Sequence, residues 1–181
     1  MINLFKKASV KAVEKALAKA GLQRDARQLR LGARSSAQAA ARSLDTQPGA
    51  MVQAKVFLIG ERPVLALYGG DNEVRAENLP RLFNLEGTVR ACGRDETVAA
   101  TGHEPGGVPP IPGAWPLKLP VAIDAGLKRF AMLYAPAGHP NWIVGLSVDE
   151  LKRLTGGIVS YNVTVTPDHQ GRIQRSGWRA A

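Results

Sequence analysis

The stretch from residue 51 to residue 72 reads MVQAKVFLIGERPVLALYGGDN, and its pattern predicts how the chain is built. Residues 51–59 and 64–68 are rich in β-branched and other apolar side chains, which is typical of two β-strands. The Glu-Arg-Pro sequence at residues 61–63 favours a hairpin turn between them. Because residues 64–67 are apolar without interruption, the second strand is predicted to be buried on both faces.

Helical patterns flank this hairpin. Val10, Val13 and Leu17 recur at helical spacing with lysines on the other side, which predicts an amphipathic helix that ends near Gly21. Residues 36–44 are rich in alanine and begin with a serine, which predicts a second helix with a serine N-cap.

A third helix is predicted after Ser147, because Ser147 and Glu150 form a capping-box pattern and Gly156 follows the apolar pair Leu151 and Leu154. Shorter elements are predicted as helices around residues 79–83 and 95–101, and as strands at residues 88–91, 121–123 and 132–134.

Size and charge restrict the classes of function. The chain has 181 residues, enough for one domain, and a net charge of +9 with an isoelectric point near 10.1. Such an excess of positive charge favours a nucleic-acid partner, although a merely solubilising surface gives the same composition. A DNA partner is suggested by the positive charge alone, because the sequence contains no pattern of a helix-turn-helix or a zinc module.

Several classes are disfavoured. No apolar run approaches the roughly 20 residues of a membrane span, and the first residues do not resemble a secretory signal. Cys92 is the single cysteine, and no Cys/His cluster has the spacing of a zinc site. We therefore expect a cytoplasmic protein that binds no metal and no cofactor.

The Gly/Pro-rich segment at residues 102–120 is the first candidate for chemistry. Motifs for nucleophilic, metal-dependent and nicotinamide chemistry are absent from the sequence. Gly106 and Gly107 allow the main chain to approach a ligand and to direct N–H groups at a developing oxyanion. The alternative is a structural crossover loop with tight turns.

The turn at residues 137–141, AGHPN, is the second candidate. Its histidine, His139, is either a polar side chain that faces a pocket or a turn residue bonded to the backbone.

These motifs, in this order, resemble the YbaK/ProX family of aminoacyl-tRNA deacylases, which are related to the editing insertion of bacterial prolyl-tRNA synthetases. The similarity covers about residues 21–159. It rests on SAQAAA at 36–41, VLAL at 64–67 followed by Gly70 and Asp71, TGHEPGGVPP at 101–110, LPV at 119–121 with Asp124, AGHPN at 137–141, and the segment from Leu151 to Gly156.

The resemblance implies an α/β (α+β) fold: a single domain with a curved, mixed, mostly antiparallel sheet surrounded by helices. We expect an editing domain at residues 1–160 and a basic C-terminal tail at residues 161–181. The implied reaction is hydrolysis of the aminoacyl ester of a mischarged tRNA that carries a small amino acid, with tRNA-Pro as one candidate. The alternative is a catalytically silent tRNA- or nucleotide-binding protein of the same fold.

The implied partners are the 3′ end of tRNA and an aminoacyl-tRNA synthetase, with no membrane and no DNA. The resemblance assigns backbone donors and a pocket wall to Gly106, Gly107 and Val108. Gln53 stands where the family usually has a functional lysine. Lys55 points the same way along the strand, and it either replaces the missing charge in part or is a surface residue. The predicted substrate-binding residues are Ser36, Gly102, His103, Pro110, Gly138, His139 and Asn141.

Overall fold

The computed structural model describes residues 7–30 and 36–167. In chain order the elements are α1 (Ala8–Lys19), β1 (Arg27–Gln28), α2 (Ala37–Ser43), β2 (Val52–Ile59), β3 (Arg62–Gly69), β4 (Glu73–Val74), α3 (Leu79–Phe83), β5 (Val89–Ala91), α4 (Arg94–Thr101), β6 (Val121–Asp124), β7 (Leu133–Pro136), β8 (Trp142–Leu146), α5 (Val148–Thr155), β9 (Ile158–Ser160) and β10 (Thr164–Val165).

The predicted hairpin forms the middle of a five-stranded sheet with the order β5-β2-β3-β6-β9. β2 and β3 pair antiparallel, whereas β3 with β6 and β6 with β9 pair parallel. All four residues from Val64 to Leu67 are fully buried, which confirms the prediction of a strand covered on both faces.

The hairpin turn lies one residue earlier than predicted. Arg62 and Pro63 already pair with Ile59 and Leu58, so the turn consists of Gly60 and Glu61. Gly60 has a φ of +57°, the left-handed conformation that a two-residue hairpin turn favours.

A second sheet and a small third sheet complete the strand pairing. β1, β8 and β7 form an antiparallel sheet, which touches the five-stranded sheet through a parallel bridge between Met51 and Tyr134. β10 pairs antiparallel with β4. Over the described residues the strand pairs are thus mixed and mostly antiparallel, as predicted, but they are divided among three sheets.

The predicted helices form with the expected caps. Val10, Val13 and Leu17 of α1 are fully buried in the main apolar cluster. The Ser36 hydroxyl accepts a hydrogen bond from the N–H of Ala39 at 3.2 Å, at the start of α2. The capping box of α5 is present: the Ser147 hydroxyl accepts from the Glu150 N–H at 3.1 Å, and the Glu150 carboxylate accepts from the Ser147 N–H at 2.8 Å.

The packed domain continues past residue 160, where the basic tail was predicted to begin. Val163 is fully buried in a second apolar cluster, which also contains Phe57 and Leu79, and β10 follows it in the chain. The domain therefore extends at least to Val165, because this segment contributes both a buried side chain and a strand. Residues 168–181 of the predicted tail lie outside the described residues.

Gly70 sets the position of α2 against the hairpin. Its N–H donates to the carbonyl oxygens of Pro48 and Met51, at 3.1 and 2.9 Å. A Cβ atom at this position would lie 2.4 Å from the Cβ of Ala37, the first residue of α2, and 2.8 Å from the Pro48 carbonyl oxygen. Only glycine allows this approach.

We expect Gly70→Ala to lower the free energy of unfolding by about 1–3 kcal/mol, because the added methyl group must push α2 away from the hairpin. Urea unfolding followed by circular dichroism measures the change. Gly113→Ala is the control, since its Cβ would make an ordinary contact of 3.6 Å with Ala16. Equal stability of the two variants would contradict this role of Gly70.

Candidate functional site

A pocket of about 110 Å³ lies where α2, the beginning of β2 and the β7–β8 hairpin meet, at the seam between the two larger sheets. Most of its lining residues are apolar, and the polar side chains among them are Ser36, Gln53 and Tyr134. The lining residues are Leu29, Ser36, Ala37, Ala40, Met51, Val52, Gln53, Ala54, Gly106, Tyr134, Pro136, Pro140 and Ile143.

The Gly/Pro-rich segment reaches this pocket through a tight turn. The Gly107 N–H donates to the Glu104 carbonyl oxygen at 2.9 Å, and Gly106 has a φ of +80°. A proline at the second position and a glycine with positive φ at the third are typical of a type II turn. The turn exposes Gly106 at the pocket and engages the N–H of Gly107.

The N–H groups of the two residues on either side of Gly107 differ from the Gly107 N–H, because they have no partner in the described structure. Among the described residues, none accepts a hydrogen bond from the N–H of Gly106 or of Val108. Val108 is itself fully buried, and buried N–H groups in proteins are almost always paired. Gly106 lines the pocket, so its N–H lies beside the cavity, whereas Val108 follows two residues later and is not among the lining residues.

Gly107 fits closely against the second candidate turn. A Cβ atom on Gly107 would lie 3.0 Å from the Cα of His139 and 3.1 Å from the Cδ of Pro140. Gly138, with a φ of +85°, is in turn packed against α1, since its Cβ would lie 2.8 Å from the Ser9 carbonyl oxygen. The two predicted loops and α1 are thus in direct contact.

His139 is half-buried at this junction. Its Nδ1 accepts a hydrogen bond from the N–H of Asn141 at 3.2 Å, and its Nε2 lies 3.0 Å from the Nζ of Lys7. Burial and, to a lesser extent, the positive charge of Lys7 lower the pKa of His139. The imidazole is therefore neutral at pH 7.

Gln53 and Lys55 have different surroundings although both belong to β2. Gln53 lines the pocket. The Lys55 side chain is exposed, and its Nζ lies 5.6 Å from the centre of the Phe57 ring, which is two residues further along the strand. The ammonium group is therefore directed away from Gln53, which is not the arrangement expected of a replacement for the family lysine.

Of the other predicted site residues, Ser36 lines the pocket, and four do not. Gly102 ends α4 with a φ of +72°, and the buried His103 places its Nε2 3.2 Å from the Ala114 carbonyl oxygen. Pro110 is buried in the same segment, and the Asn141 carbonyl oxygen accepts from the Leu29 N–H at 2.8 Å. These contacts brace the loops around the site.

Sequence reasoning missed part of the lining and the neighbour of His139. Tyr134 lies in a strand that the sequence predicted and Ile143 lies in β8, and the approach of both to α2 depends on the contact between two sheets. Lys7 is separated from His139 by more than one hundred residues, so no local pattern indicates the pair.

Comparison with known proteins gives one family and several similar structures. A family model described as an aminoacyl-tRNA editing domain matches residues 32–154, well over half of the chain. A solved structure described as a candidate trans-editing enzyme for prolyl-tRNA synthetase shares 28% sequence identity, with a TM-score of 0.78. This match covers 86% of the present chain and 96% of that one.

Two further structures have the same fold. One, described as a hypothetical protein, shares 25% identity with a TM-score of 0.73 over 84% of this chain and 99% of that chain. The other, a scaffold protein for grafted linear epitopes, shares 24% identity with a TM-score of 0.77 over 86% and 96%. No curated protein matches the sequence significantly.

Within residues 7–30 and 36–167, no helix is long and apolar enough to cross a membrane.

We expect Lys7→Gln to raise the pKa of His139 while leaving it below the ordinary value, because burial is the larger cause and does not change. An NMR titration of the imidazole C–H signals measures this pKa, and Lys11→Gln, one turn further along α1, is the control. Because the unfolded chain binds a proton here more readily, this group makes the fold less stable as the pH falls through the unfolded-state pKa. An unchanged pKa in Lys7→Gln would contradict the contact.

Proposed function

The chain belongs to the aminoacyl-tRNA editing domain family, and we propose that it hydrolyses the ester bond between a wrongly attached amino acid and the terminal ribose of a tRNA. The observation that carries this proposal is the Gly106 amide, which lines the pocket and has no acceptor among the described residues; the Val108 amide, two residues further on, has none either.

The proposed hydrolysis requires little direct participation by protein side chains. Water attacks the ester carbonyl carbon, and the carbonyl oxygen becomes negatively charged in the tetrahedral intermediate. We assign the N–H groups of Gly106 and Val108 to this oxygen, since fixed donors stabilise a developing charge without reorganising. The bond from the carbonyl carbon to the ribose oxygen then breaks; one proton of the attacking water passes to the ribose oxygen, the other is released to solvent, and the amino acid leaves as a carboxylate.

An aminoacyl ester is already activated, so positioning and charge stabilisation account for the absence of a protein nucleophile in the motifs of this sequence. The vicinal hydroxyl or the α-amino group of the substrate is available to assist the water. A strongly anionic substrate also accounts for the net charge of +9.

The size of the pocket favours a small amino acid. Ala37 and Ala40 form one wall and Pro136 and Ile143 another, around a volume of about 110 Å³. We propose alanine, cysteine, serine or threonine as the substrate side chain. The similar structure described as a candidate trans-editing enzyme for prolyl-tRNA synthetase makes tRNA-Pro the first tRNA to test and that synthetase the first partner.

The second candidate function is tRNA binding without hydrolysis. It is favoured by one observation: Gln53 leaves a neutral group at the pocket, and the nearest lysine of β2 is directed toward Phe57. In this case the protein recognises the 3′ end of tRNA but does not accelerate loss of the ester.

A panel of misacylated tRNAs, incubated with the purified protein, separates the two functions. We expect faster release of the amino acid from at least one tRNA that carries a small residue. Tight binding with no acceleration across the panel supports the silent protein instead, and activity that arises only in Gln53→Lys would show that the missing charge is the reason.

On the most sensitive substrate of that panel, we expect Gly107→Ala to lower kcat/KM at least tenfold. Its new Cβ would lie 3.0 Å from the Cα of His139, so the turn must shift and carry the amides of Gly106 and Val108 with it. Gly113→Ala, in the same loop but with an ordinary contact, should retain the rate.

We propose that Gln53, rather than Lys55, contacts the substrate. Gln53→Ala should therefore lower kcat/KM at least tenfold, whereas Lys55→Ala should stay within about twofold of the unmodified protein, because an exposed ammonium over an aromatic ring contributes little. Steady-state deacylation rates at constant salt measure both. A larger loss of kcat/KM in Lys55→Ala than in Gln53→Ala would instead indicate that Lys55 contacts the substrate.

A further inference from the structure

The exposed side of α1 carries four lysines at every fourth position: Lys7 at the N-cap, then Lys11, Lys15 and Lys19. All four are exposed, while the opposite side of the helix is buried through Val10, Val13 and Leu17. At 1.5 Å per residue, the three helical lysines span about 12 Å. We call these four residues the lysine row.

The lysine row is unfavourable for the isolated helix. Like charges four residues apart repel each other, and a cation at the N-terminus opposes the helix dipole. The first turn of α1 contains no acidic residue. The acidic residue of the helix, Glu14, directs Oε1 to the N–H of Ala26 at 2.7 Å. Over the described residues, no ion pair is formed by Lys11, Lys15 or Lys19.

At the beginning of the row, two hydrogen-bond donors meet without an acceptor. The N–H of Asn141 can only donate, so Nδ1 of the neutral His139 is the acceptor and Nε2 carries the proton. The ammonium of Lys7 lies 3.0 Å from this Nε2. An anionic oxygen that accepts from both groups would resolve the conflict.

The Lys7 end of the row lies close to the pocket. His139 contacts Gly107, and Pro140, the next residue, lines the pocket beside Gly106. Further along α1, Ala16 lies 3.6 Å from a Cβ built on Gly113, so the helix lies against the outer side of the Gly/Pro-rich segment. The helix precedes the part of the chain, residues 32–154, that matches the family model.

We propose that the lysine row binds the phosphodiester backbone of the tRNA strand that leads into the pocket, with Lys7 and the Nε2–H of His139 sharing one phosphate oxygen. Repulsion within the row is relieved when phosphates lie along it, and each neutralised phosphate releases counterions. The choice of tRNA as the polyanion rests on the proposed function, whereas the site for consecutive phosphates rests on the geometry of α1.

The test is a triple variant, K11Q/K15Q/K19Q, since glutamine has nearly the helix propensity of lysine. The matched control, K118Q/K128Q/K152Q, removes the same charge from exposed positions elsewhere. Binding of tRNA that carries no amino acid is measured by fluorescence anisotropy across a series of salt concentrations. We expect the row variant to bind at least tenfold more weakly, and its slope of log K against log salt to fall by about two to three. The control should stay within about threefold.

Equal losses in the two triple variants would overturn the proposal, because net charge alone would then explain them. An equal loss for a DNA duplex of the same length would likewise overturn the assignment to tRNA. Circular dichroism establishes that both variants retain their helices.

A second readout uses a substrate without phosphates, the aminoacyl ester of adenosine. The row variant should hydrolyse it at the normal rate while its KM for misacylated tRNA rises and kcat stays unchanged. If the unmodified protein hydrolyses no ester while its binding of tRNA depends on the lysine row, the proposed function is refuted and the proposal for the lysine row is supported. If the unmodified protein hydrolyses tRNA esters and the row variant behaves like the control variant, only the proposal for the lysine row is refuted.

Discussion

The close approach of α2 to the β2–β3 hairpin at Gly70 is the constraint on which the candidate site depends. Because Gly70 has no side chain, Ala37 can lie against the backbone, and the Gly70 N–H can hold the carbonyl oxygens of Pro48 and Met51. Met51 in turn bridges to Tyr134 of the second sheet. The pocket is the space that remains where these three elements meet.

The two candidate loops use glycine for different physical reasons. Gly106 adopts the positive φ of a type II turn, which turns the main chain toward the pocket. Gly107 instead permits close packing against His139, and Gly138 combines a positive φ with close packing against α1. The result is that unpartnered amides lie beside a rigidly packed turn, and rigid donors are what charge stabilisation in a small pocket requires.

Electrostatics link the pocket to the surface of α1. The lysines of this helix are spaced so that like charges repel, and Lys7 lies at the end where the helix dipole disfavours a cation, although Lys19 in the last turn is favourably placed. Burial and, to a lesser extent, the ammonium group that begins the row lower the pKa of His139, so the imidazole is neutral at pH 7. A neutral imidazole can present its Nε2–H to an anion without adding to the repulsion among the lysines.

Local patterns in the sequence were sufficient for the buried strand, the amphipathic α1 and the caps of α2 and α5, because side-chain periodicity and capping depend on residues only a few positions apart. The family likewise follows from short motifs, whose glycines, prolines and histidines are spaced along the chain. The division of the strands into three sheets, the direction of the Lys55 ammonium, the pairing of Lys7 with His139 and most of the pocket lining were decided by tertiary structure alone. Each of these depends on contacts between segments distant in the sequence, and no local periodicity records which distant segments will meet.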